Sequence, residues 1–405
     1  MKLQKSKKAV KILSCVLALA MFCSIGAVAV ETYDSGNASH GMVGANIYQF
    51  RSTLYADSGS KWRAATWVQA EGGKSVPAGY MKAKAMLYDA AGYLCRSTTL
   101  QTNAVEANYF FVATPAVKGT GEYISQGIIS EYSAGVYTTV SVAEAVRGKT
   151  DVIKALETNL GTDGGYPVNA HGQTYGSALL RNAAGNTPDL IAAIGTNNVK
   201  GYVRMDELDP FTATPKEAVA LAASAKSVVL PLYDLSGKVI GTFVQDVGVS
   251  SNSKEFKRLT FNAARTKAAA GSYPVLAQTV TLPKTAAELT VLAEKALTIT
   301  PYARNSMGQT YGSDSLCGEV GYSPDLIRVT STDTNLDGYV KRLDMNGGSA
   351  RFSAKDAAGN RVVPVYDLNG KVIGEFKFET GGSSNDPKYD GMRVEEARKA
   401  AANGA

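Results

Sequence analysis

A run of oxygen donors, Asp333-Thr-Asn335-Leu-Asp337-Gly338, is followed by Asp344. Oxygen ligands at loop positions 1, 3, 5 and 12, with glycine at 6, are what a Ca²⁺ loop uses. Short carboxylates at alternate positions point inward and the glycine turns the chain. Asp333, Asn335, Asp337 and Asp344 are therefore the candidate metal ligands, and Ca²⁺ is the only cofactor the sequence suggests. A polar turn uses the same residue types. The equivalent positions earlier in the chain hold Thr196, Asn198 and Lys200. A lysine there would repel the ion, which favours the turn.

Two further sets recur. Asp189 and Asp325 occupy equal positions, as do Asp234 and Asp367. A two-carboxylate hydrolase uses such residues; Pro-Asp and Tyr-Asp-x-x-Gly turns need them as well. Tyr175 matches Tyr311, and Tyr202 matches Tyr339. Exposed tyrosines on a β scaffold stack on sugars or anchor protein contacts, so these four are the candidate binding residues. No catalytic residue is assigned. The two histidines are His40, near the start, and His171, which Met307 replaces in the second set. The chain has no His-Glu-x-x-His, no Gly-x-Ser-x-Gly and no phosphate-binding glycine loop.

What positions these residues is a duplication. Gly172-Gln-Thr-Tyr-Gly-Ser177, Pro188-Asp-Leu-Ile191, Gly201-Tyr-Val203 and Pro231-Leu-Tyr-Asp-Leu-Ser-Gly-Lys-Val-Ile-Gly241 recur 133–137 residues later. The copies span 165–271 and 301–405, each large enough for its own core. Each reads as two hairpins, with Ser236-Gly237 or Asn369-Gly370 in one tight turn. Thr214-Pro215-x-Glu217 opens a helix with a capping box. An alanine-rich helix closes each copy near Gly271 or Gly404. Residues 272–300 form a helical spacer, with Thr285 and Glu288 as its cap.

Residues 30–150 differ. Met81–Tyr88 alternates as a strand, Asp89-Ala-Ala-Gly92 turns, and Tyr93–Thr98 returns. Short strands and frequent glycines favour a β-sandwich. Trp62 and Trp67, five apart, fall on opposite faces of one strand. Residues 151–164 form a helical linker. The expected fold is thus mainly β with helices (α+β): an N-terminal β-sandwich, then two tandem β-rich modules with capping helices.

Residues 1–29 read as a signal peptide: a lysine-rich start, an apolar stretch from Ile12 to Phe22, and Ala27-Val28-Ala29 for cleavage. The net charge of +6 comes mostly from that leader; beyond it 37 basic side chains face 36 acidic ones. A nucleic-acid partner bound by counterion release is therefore not expected. Past the leader no apolar stretch is long enough to span a membrane. Cys95 and Cys317 remain after cleavage, in different modules. Two separate thiols are expected, with a long-range disulfide as the other reading.

The order Asn-x-x-Gly-Gln-Thr-Tyr-Gly-Ser, Pro-Asp-Leu-Ile, Gly-Tyr-Val, Pro-x-Tyr-Asp-x-x-Gly-Lys-Val-Ile-Gly resembles uncharacterised secreted proteins of Gram-positive bacteria. It is also similar to the external tails of sensors related to BlaR-type zinc peptidases. The zinc motif itself is missing here, so that activity is not carried over. Gly-Tyr-Val at the hairpin end is similar to a signature of bacterial SH3-like wall-binding domains. The resemblance implies an extracytoplasmic location. The expected role is non-enzymatic, binding a cell-wall polymer or an extracellular protein. The alternatives are a secreted hydrolase using the repeated carboxylates, or a Ca²⁺-stabilised interaction module.

Overall fold

The computed structural model describes residues 30–36, 38–43, 46–57, 60–148, 151–161, 164–184, 186–208, 212, 214–271, 281–297, 302–317, 323–345, 354–355 and 360–378. The expected leader and the expected helix near Gly404 both lie outside the described residues. The fold is mainly β, with few helices.

Eight main strands occupy the N-terminal region: β1 (Val30–Asp34), β2 (Asn46–Asp57), β3 (Lys61–Ala70), β4 (Met81–Asp89), β5 (Leu94–Thr98), β6 (Tyr109–Ala113), β7 (Tyr123–Ser133) and β8 (Val136–Ser141). β1, β2, β3 and β6 lie side by side in one sheet, and β8, β7, β4 and β5 in another. Strand alternation decides which core each side chain enters. On β3, Trp62, Ala64 and Val68 join Met81, Ala83, Ala85 and Leu87 of β4 in a core between the sheets. Ala65 and Trp67 point the other way, into a second core with Phe111 and Phe256. Both tryptophans are thus buried, on opposite faces of their strand.

The first copy contributes β9 (Tyr175–Gly176), β10 (Leu190–Ile194), β11 (Lys200–Arg204), α1 (Pro215–Ala223), β12 (Val228–Tyr233), β13 (Val239–Asp246), β14 (Val249–Ser250) and α2 (Phe261–Ala270). β10 and β11 form one hairpin, β12 and β13 the other. Gly237 turns the second hairpin at φ 83°, a conformation that costs glycine nothing. Thr214 and Glu217 cap α1 reciprocally, with Pro215 in its first turn.

β5 is shared. It pairs with β4, runs parallel to β13 at Ser97–Gln245 and Thr98–Asp246, and meets β10 at Leu94–Ala193. The ring β5-β13-β12-β11-β10 is thereby closed. Its interior holds Leu94, Ile191, Ala193, Val203, Leu232 and Phe243, continuous with Met86 and Tyr88 from the outer face of β4. α2 covers the outer face of β3 and β6 through Ala264 and Ala268, one helical turn apart. The Arg63 guanidinium donates to the carbonyls of Ala268 and Ala269 at the end of α2, at 3.0 and 3.2 Å.

α3 (Ala286–Leu297) follows, capped by Thr285 and Glu288. The second copy repeats the pattern with β15 (Thr310–Gly312), β16 (Leu326–Thr330), β17 (Asp337–Lys341), β18 (Arg361–Tyr366) and β19 (Val372–Phe378). They lie in the order β15-β16-β17-β18-β19 in a separate sheet. Cys95 and Cys317 are both free thiols; burial pushes Cys95 up to about 12. No described helix is long and apolar enough to cross a membrane.

Candidate functional site

The recurring motif is first of all a set of internal fasteners. The Asn169 carboxamide accepts from the backbone N–H groups of His171 and Gln173, and its Nδ2 donates to the Leu235 carbonyl in the distant hairpin turn. Asn305 does the same with Met307, Gln309 and Leu368. Asp234 accepts from the Ser236 and Lys238 backbone, as Asp367 does from Asn369 and Lys371. Those bonds make the tight turn. His171 lies against the Ser236 carbonyl at 3.2 Å, in the same loop contact.

Tyr175 and Tyr202 form an edge-to-face pair with ring centroids 5.8 Å apart and an interplanar angle of 81°. Tyr311 and Tyr339 repeat it at 5.6 Å and 75°. β9 and β15 run parallel to the start of β10 and β16, and each first tyrosine meets the second across that strand, from β11 or β17 on its far side. All four are half-buried. The two copies therefore present equal aromatic pairs. In the first, Tyr93 lies near Tyr202 and the Lys200 ammonium sits 4.3 Å above the Tyr93 ring.

The four candidate metal ligands are not gathered into one set. Asp333 accepts from the Ser331 hydroxyl and from the Glu375 backbone at 2.7 Å, the former holding its carboxyl below the ordinary range. Asp337 pairs with the Arg328 guanidinium at 2.7 Å and the Thr330 hydroxyl at 2.9 Å. Asn335 takes φ 57°, as its counterpart Asn198 takes φ 61°; a left-handed turn suits asparagine. Asp344 is buried on the short helix Arg342–Met345. No three His, Cys, Asp or Glu side chains group to hold a metal among the described residues.

A charge cluster between the copies went unseen in the sequence. Asp189 accepts from the Thr174 backbone N–H at 2.9 Å and its hydroxyl at 2.7 Å. Asp325 accepts from the Thr310 N–H at 2.8 Å. Arg342 then reaches both carboxylates, hydrogen-bonding Asp189 and standing 3.6 Å from Asp325. Arg304 of the second copy pairs with Asp206 of the first and lies 3.9 Å from Glu207. Burial raises Asp325 well above the ordinary carboxylate range, with Asp189 adding to it. Burial also raises Glu207 to about 7, against the pull of Arg204. The cavity lined by Gln173, Asp189, Arg204, Arg304 and Asp325 holds about 10 Å³, room for about one water. The buried Nε atoms of Arg204, Arg304 and Arg342 have no partner among the described residues.

No family model, curated protein or solved structure matches this chain. Its functional reading therefore rests on its own geometry.

Proposed function

We propose that this is an exported, non-enzymatic protein of the cell envelope. In this reading an N-terminal β-sandwich carries two tandem β-rich modules, and each module offers its tyrosine pair to a cell-wall polymer. The observation behind it is the pair itself. Tyr175–Tyr202 and Tyr311–Tyr339 keep the same tilted geometry in both copies, while their neighbours in the motif are occupied in holding the loops. Half-exposed rings suit sugar stacking. The Arg342 and Arg304 contacts hold the modules in a fixed relation, which favours bivalent engagement of a repetitive ligand. Titrating the full chain with soluble wall glycan fragments, read by tyrosine ring NMR, tests it. Shifts confined to these four rings support the reading; unshifted rings at saturating fragment contradict it.

A second reading has one observation behind it: Asp189 and Asp325 meet around one guanidinium. Two carboxylates are the equipment of a glycoside hydrolase. The enclosed space there fits a water rather than a sugar ring, which favours binding. Release of soluble fragments from isolated walls, lost in Asp325→Asn, would favour hydrolysis instead.

A further inference from the structure

The two copies meet through the same part of the repeat. A Cβ on Gly308 would lie 2.9 Å from the Arg204 guanidinium, and one on Gly172 3.3 Å from the Gln309 carboxamide. The meeting faces match in position but not in charge. The first copy supplies Asp189, Arg204, Asp206 and Glu207, and the second supplies Arg304, Asp325 and Arg342. Where the second has Arg304 and Arg342, the first has Val168 and Met205. Four carboxylates thus face three guanidiniums, which leaves one negative charge over among the described residues. An uncompensated buried charge is costly, and one proton removes it.

Hydrogen bonding shows which carboxylate takes that proton. Asp189 is served as an anion by the Thr174 N–H, the Thr174 hydroxyl and Arg342. Asp325 accepts the Thr310 N–H at 2.8 Å, while Arg342 stands 3.6 Å away. Both carboxylates approach the same guanidinium nitrogen, Nη2.

We propose that the junction between the copies is a proton-set latch: docking seats one proton on the Asp189–Asp325 pair, so the copies hold together in acidic surroundings and loosen as pH rises. Asp189 belongs to the other copy, so its charge bears on Asp325 only when the copies are docked. Burial first, then Asp189 and Asp206, disfavour the Asp325 anion; Arg342 and Arg304 favour it. Docking then takes up a proton, and it weakens as pH climbs from the ordinary carboxylate range to the raised Asp325 value. Above that value it levels off. Glu207 behaves oppositely, because docking brings Arg304 to within 3.9 Å of it; within its own copy it meets Arg204 and the Tyr233 hydroxyl. The Cys317 thiol faces Arg342, and Asp344, on the same short helix, faces Tyr366. Gln173, Thr310 and Ser323 line the cavity with uncharged groups. The latch does not depend on what the tyrosine pairs bind.

Arginine labelling of the full chain with a dicarbonyl reagent, read by mass spectrometry, tests it. Arg304 is buried at the junction, whereas the Arg328 side chain is 62% exposed and corrects for the reagent's own pH dependence. The Arg304-to-Arg328 rate ratio should rise about tenfold per pH unit from about pH 5 and then level off. Asp325→Asn, permanently neutral, should keep the ratio low and flat, and Glu207→Gln should keep the rise. Should Asp325→Asn fail to fold, Asp189→Asn answers in its place by flattening the rise. A flat ratio in the unaltered chain, or the same rise in the aspartate variant, would overturn the proposal.

Discussion

Gly201 and Gly338 show how much of the motif answers to packing. A Cβ on Gly201 would fall 2.7 Å from the Tyr233 carbonyl oxygen, and on Gly338 2.9 Å from that of Tyr366. Gly338→Ala should therefore cost about 1–3 kcal/mol, read by urea denaturation of the second copy. Glu207 gives a pH signature. Its ordinary value is 4.5 and its folded value is about 7, so the native state binds the proton more tightly than the unfolded chain. Stability from this group is complete below about 4.5 and declines as pH rises towards about 7. Glu207→Gln keeps an acceptor for the Tyr233 hydroxyl, now 3.0 Å away, and should flatten that decline in melting curves taken across the window. With Asp337 engaged by Arg328, added Ca²⁺ should leave the melting temperature unchanged; a rise abolished by Asp337→Ala would restore the ion site. The sequence brought the matched glycines and asparagines to notice, because they recur, but recurrence alone does not distinguish a fastener from a ligand. Asn198 and Asn335 are legible as turn residues only once both are seen at positive φ.

Hairpins were readable from local signals. Glycine at the turn and alternation on either side mark β12–β13 without any tertiary knowledge, and the Thr214–Glu217 box marks the start of α1. β5 was half readable. Its alternation and the Gly92 turn point to a hairpin with β4, but nothing in Leu94-Cys-Arg-Ser-Thr98 signals that its other edge closes a ring built a hundred residues later. Long-range parallel pairing leaves no short-range pattern. α2 illustrates the same limit. Its cap and its Gly271 end are local, whereas its seat is chosen by Arg63 and Trp67 on β3. Arg63→Met should free the last turn of α2, at a cost of about 1–3 kcal/mol, seen as faster amide exchange across 266–271 with β3 still protected.

The molecule as a whole is organised by contacts between copies that no single motif announces. Arg342 answers Asp189 and Asp325 together, and Arg304 answers Asp206. Removing one partner of a buried pair leaves the other charge uncompensated, at about 3–5 kcal/mol. Arg342→Met should thus loosen the second copy from the first, giving a larger radius of gyration in solution scattering while the strand pairing within each copy persists. Because β5 belongs both to one N-terminal sheet and to the first ring, binding is best examined on the full chain and not on residues 165–405. The most direct measurement is co-sedimentation of that chain with isolated cell-wall sacculi, beside Tyr311→Ala and a Tyr175→Ala/Tyr311→Ala double variant. Two pairs held in a fixed relation predict strong pelleting, a loss of about 100-fold in apparent affinity for the single variant, and none for the double. Equal pelleting of all three, or no pelleting of the unaltered chain, would contradict a wall-binding role for the tyrosine pairs.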